Sequence, residues 1–196
     1  MLSCVVLLAA SAFGALVLGP LSRTSMPQPG DADAPEYLAG HLGAVYLVAA
    51  SQLVAAAALY VYGAYVPQAV HSVRRVRLAL LLAVGVLGLA AVAGFALAVV
   101  APVSGDAPIH VLHTLAWLSG GEVHIASLGL YVALLARSIL WSPMLRVTGT
   151  AAGWLAVCCL TVLVAPSLGP FGVVARLLCL VWLLLAAHQS AFRDVT

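Results

Sequence analysis

The stretch that decides the reading is His110-Val-Leu-His113-Thr-Leu-Ala-Trp117-Leu-Ser119-Gly120-Gly121-Glu122-Val-His124. It lies inside an apolar segment, Ile109 to Leu140, that carries an acid, several histidines and a glycine pair. As one helix that segment is about 48 Å long, against a bilayer hydrocarbon core of about 30 Å. Two arrangements follow. In one, residues 110–118 lie in the membrane interface or re-enter, and Glu122 opens the true span near the outer surface, where a helix dipole favours an acid. In the other the span tilts, the glycines kink it, and Glu122 lies deep, where an ionisable group costs a few kcal/mol and needs a partner or a task.

Composition carries this reading outward. The chain has 196 residues, 64% hydrophobic and 7% charged, whereas soluble domains carry about 25% charged residues. So few charges cannot cover a soluble surface, which predicts an all-α, polytopic membrane protein. Six stretches reach spanning length: residues 2–19, 40–64, 78–101, 115–138, 147–165 and 171–190 of a single domain, 1–196. Pro20, Pro27, Pro29, Pro67, Pro102, Pro108, Pro143, Pro166 and Pro170 punctuate the connections. The first stretch has no positive charge before it and a weak cleavage signal, so it is read as a span rather than a signal peptide. Arg74, Arg75, Arg77, Arg137, Arg146 and Arg193 fall on one side. Asp31, Asp33, Glu36 and Asp106 fall on the other, with Arg23. The positive-inside rule then predicts a bacterial inner-membrane bundle with both termini cytoplasmic. Tyr60, Tyr62 and Tyr65 suit an aromatic belt at the cytoplasmic end of span two.

Several chemistries are excluded by what is missing. The chain has no Lys, hence no Schiff base with retinal or pyridoxal and no GxxxxGK phosphate loop. HExxH, CxxC, serine-protease and Asp-rich prenyl-diphosphate motifs are absent, and no inverted halves are visible. Cys4, Cys158, Cys159 and Cys179 sit in apolar runs and read as small hydrophobes. A net charge of +2 gives no case for nucleic acid.

The polar residues within the spans are the site candidates. Gln52 suits an interhelical hydrogen bond or a ligand contact. Arg176 suits snorkelling to headgroups or a bidentate pair with Glu122. On one unbroken helix His113 and His124 lie about 20° apart and His110 about 40° from His124, with Glu122 nearly opposite. Only the Gly120-Gly121 break could bring Glu122 and His124 to one site. No cofactor is predicted. Haem b remains a rival, through His41 with His110 or His113, or through His71 with His188. Gly149 and Gly153 form a GxxxG face, read chiefly as internal packing, and Gly40, Gly43, Gly85 and Gly88 also permit close helix approach. Arg74, Arg75 and Arg77 suit a topology signal or anionic lipid.

Three places resemble a bacterial six-helix integral membrane family known as domain of unknown function 4386. They are Glu36-Tyr-Leu-Ala-Gly-His41 leading into an Ala/Leu-rich span, Ser119-Gly-Gly-Glu-Val-His124 passing into Leu128-Gly-Leu-Tyr131, and the turn Leu134 to Arg146. In that turn Ala136 stands where the family has Tyr, and no basic residue directly follows Pro143. The resemblance implies the six-helix architecture and no activity.

The expected function is a small non-enzymatic membrane protein: an accessory subunit working with other membrane subunits, or a binder or carrier of an apolar molecule or lipid. Its site would use Gln52, His113, Trp117, Glu122, His124 and Arg176, with Glu122 exchanging a proton. The rival is a membrane enzyme with Glu122 as general acid for an isoprenoid-type cyclisation, in a pocket lined by Trp117, Tyr131 and Trp154.

Overall fold

The computed structural model describes residues 27–28, 30–65, 73–138, 140–163 and 169–193, with Val6 and Ala9. Span one apart from Val6 and Ala9, together with Cys4, Arg23 and His71, lies outside the described residues. A short helix α1 (Ala34–Gly40) precedes α2 (Leu42–Tyr65), α3 (Val73–Val100), α4 (Asp106–Gly120), α5 (Glu122–Ala136) and α6 (Pro143–Cys158). A 3-10 turn (Cys159–Leu163) and α7 (Gly169–Arg193) complete the order. Counting α4 with α5 as one, five helices among the described residues are long and apolar enough to cross a membrane. All-helical architecture follows from the solvent: each helix satisfies its own backbone, so apolar segments need no partner strand.

α5 is the axis. Twelve of its 15 residues are buried, because α3, α4, α6 and α7 all pack on it. Small residues let them approach. Gly129 and Gly153 face each other where α5 crosses α6, and Gly149 lies against Ala136 and the Trp182 ring. The GxxxG face is therefore used inside the bundle. By contrast Gly40, Gly43, Gly85 and Gly88 have no neighbour within 4 Å, so they make no close contact among the described residues. α2 and α3 approach closely where Ala49 lies against Gly94 and Leu80 against Gly63.

Three sequence expectations are corrected here. Pro143 starts α6 instead of lying in the connection before it: Ser142 caps the helix by accepting the Leu145 N–H, and a proline at the first position removes no bonded donor. Tyr62 is not part of an aromatic belt. It is buried and donates its hydroxyl to the Leu183 carbonyl at 3.3 Å, while Tyr60 and Tyr65 are exposed. Residues 110–118 neither lie aside nor re-enter: α4 runs into α5 and packs along α3. At the Arg-bearing end, Trp141 and Trp182 meet edge to face at 5.8 Å. Their indole N–H groups donate to Leu135 and Leu145 carbonyls, both at 2.8 Å.

Candidate functional site

The bend at Gly121 (φ −96°, ψ −116°) ends α4 and starts α5. The Gly121 N–H still donates to Trp117 O at 2.9 Å, and its carbonyl accepts from Ile125 at 3.0 Å. A Cβ at Gly121 would stand 2.8 Å from Trp117 O, so the bend needs glycine there. A Cβ at Gly120 would collide with Gln52 Nε2 and press on Ala90. The glycine pair thus seats the junction directly against α2 and α3.

Those neighbours fix the height of Glu122. One turn below the junction, His124 Nδ1 donates to the Ala83 carbonyl at 3.3 Å. Glu122 therefore lies between the levels of Ala90 and Ala83, about 20 Å along the axis from either end of α3. Gln52 is likewise near the middle of α2. Of the two arrangements open to the sequence, the kinked one with Glu122 at mid-bundle is the one formed. Glu122 is not an acid at the rim.

The Glu122 side chain is 9% exposed and turns toward α7. Gly172 makes its room: a Cβ there would be 3.0 Å from Oε2, 3.5 Å from Oε1 and 3.4 Å from Ile125 Cδ1. Cys159, buried in the 3-10 turn, is close enough to interact electrostatically with the carboxyl. Oε2 is buried with no hydrogen-bond partner. One turn along α7 from Gly172, Arg176 is half-buried, and its Nε is also buried and unpartnered. The bidentate Arg176–Glu122 pair is therefore not formed.

Not every candidate joins this group. Gln52 lies against Gly120, on the α2 side of the junction, while the carboxyl faces α7. His124 is buried on the α3 side of α5, so its ring and the Glu122 carboxyl contact different neighbours. His113 is buried with an unpartnered Nδ1, but it lies nine residues before Glu122, about 13 Å along the helix, near His110 and Asp31. Trp117 is 41% exposed and belongs to the outer surface of the bundle rather than to the site. Trp154 is also exposed and Tyr131 is buried in the core, so the three aromatics line no common pocket around Glu122. His41 stacks on Tyr37 at 4.2 Å and bonds its carbonyl. Among the described residues no three His, Cys, Asp or Glu converge as a metal set.

Two residues at the site, Gly172 and Cys159, escape sequence reading. For Gly172 the available signal was its place four positions before Arg176, which puts those two residues on one face of span six.

Fold and site together define a helical protein whose long apolar segments suit a multipass membrane protein with one buried, unpartnered carboxyl at mid-bundle. No family model, curated protein or solved structure matches the chain.

Proposed function

We propose that this is a non-enzymatic bacterial inner-membrane protein that binds or carries a small apolar molecule, with Glu122 taking up and releasing a proton at mid-membrane. The observation that carries the reading is the Glu122 carboxyl, enclosed with Oε2 unpartnered. A buried polar atom without a partner costs about 1–3 kcal/mol, and intramembrane acids are by default functional. A purely structural acid would be paired; this one has a glycine flank and an unpaired arginine nitrogen within one helix turn. Arg176, one turn along α7 from Gly172, is the nearby polar group on the carboxyl's side, and the surrounding alanine-rich helices offer apolar walls. The acid-catalysis rival lacks the aromatic cup it requires.

The test compares wild type with Glu122→Gln, reconstituted in vesicles. Infrared difference spectra after a pH jump should show a carboxyl band that Glu122→Gln removes. Molecules co-purifying with wild type, identified by mass spectrometry of an organic extract, should be depleted from the variant. An unchanged carboxyl band and an unchanged extract, at equal thermal stability, would sink the proposal.

A further inference from the structure

At the Arg-bearing end of the bundle an open groove of ≈590 Å³ lies between the end of α5 and α6, lined by Arg137, Arg146, Val147, Thr150, Ala151 and Trp154. The α6 residues among them recur at three- and four-residue intervals, so they form one stripe on the helix. That stripe faces away from the bundle: Val147 is 70% and Trp154 44% exposed. We propose that this groove binds a diacyl phospholipid with an anionic headgroup, its phosphate between Arg137 and Arg146 and one acyl chain along Val147, Ala151 and Trp154.

Charge is the first argument. Two guanidiniums share the groove, and no acidic side chain lines it. Of the six acids, Asp31, Asp33, Glu36 and Asp106 stand at the far end, Glu122 is enclosed at mid-bundle, and Asp194 lies outside the described residues. Neither arginine has an ion pair among the described residues. Orientation is the second. An arginine at a membrane rim ordinarily snorkels outward. The Arg137 guanidinium instead reaches back over the Trp154 ring, 6.0 Å from its centroid. Trp154 is eight residues beyond Arg146, about 12 Å along α6. Arg137 is thus directed inward toward the apolar part of the groove. A cation held there is satisfied by an anion that itself belongs at the border between headgroup and chain, which is where a lipid phosphate sits. Guanidinium also matches phosphate with parallel donors, and Thr150 adds a polar residue to the groove lining.

The experiment uses the full chain in mild detergent, with native mass spectrometry and thermal unfolding. Phosphatidylglycerol should be retained and should raise the unfolding midpoint. Phosphatidylcholine with the same chains and inorganic phosphate should do neither. The double variant Arg137→Gln/Arg146→Gln should weaken phosphatidylglycerol binding by about tenfold or more, since two charge-assisted contacts are lost. Ala151→Trp, which fills the groove and keeps both arginines, should weaken it similarly. All three positions are exposed, so neither variant removes core packing. Arg74→Gln/Arg75→Gln, at the same end but outside the groove, should retain binding. The proposal is overturned if phosphatidylcholine or inorganic phosphate stabilises equally, if both groove variants bind as wild type does, or if the Arg74/Arg75 variant loses as much.

Discussion

Replacing Gly153 with Ala should loosen the α5–α6 crossing. An added Cβ would stand 2.5 Å from Gly129 O, 2.6 Å from Ala133 N and 2.7 Å from Ala133 Cβ. All three are backbone atoms or a Cβ, so no flexible side-chain tip can turn aside. The helices must part by about 1 Å to restore normal carbon contacts of about 3.5–4.0 Å. Overpacking of this kind costs about 1–3 kcal/mol, and the absence of any yielding neighbour puts Gly153 at the upper end. The gain from Ala over Gly in a helix offsets about 1 kcal/mol, leaving a net loss of about 2 kcal/mol. For a chain of this size that lowers the unfolding midpoint by about 4–8 °C. The control is Gly88→Ala on α3, where a Cβ meets nothing within 4 Å; its midpoint should hold or rise. Thermal unfolding of both variants in one detergent, followed by circular dichroism, decides it. Equal behaviour of the two, or an unchanged midpoint for Gly153→Ala, would refute the packing argument.

The same assay checks the tryptophan and tyrosine pins. Trp182→Phe removes the 2.8 Å bond to Leu145 O and should cost about 1 kcal/mol; Tyr62→Phe, whose bond is longer at 3.3 Å, should cost less. Glu122→Gln should leave stability within about 1 kcal/mol of wild type or raise it, because it removes an ionisable group with an unpartnered buried oxygen. A large loss would mean that the acid holds the fold together. Gly172→Val should crowd the Glu122 carboxyl and abolish any pH-dependent infrared band from it, while unfolding stays cooperative; a retained band contradicts the assigned enclosure. Purified protein should absorb in the ultraviolet through Trp and Tyr alone. A stoichiometric Soret band that shifts on reduction with dithionite would make the histidines haem ligands and displace the carrier reading.

The long helices were legible in the sequence because a membrane imposes a local condition. Each spanning segment must be apolar and satisfy its own backbone bonds within about 20 residues, so composition and breakers suffice to announce long apolar helices, five of which are found among the described residues. The kink at Gly120-Gly121 was legible for the same reason, since glycine acts on its own backbone. What hydropathy cannot convey is direction, because nearly every face of these helices is equally apolar. Whether Glu122 began a span at the rim or sat at mid-bundle depended on Gly120 meeting Gln52 and Ala90, contacts between helices far apart in the chain. That Trp117 faces outward while Gly172 abuts the carboxyl depended on how α5 and α7 turn about their axes. Those rotations are set by the fit of small and large side chains across helix pairs. Van der Waals packing and interhelical hydrogen bonds govern that fit in a bilayer, and both exist only once the partners have met.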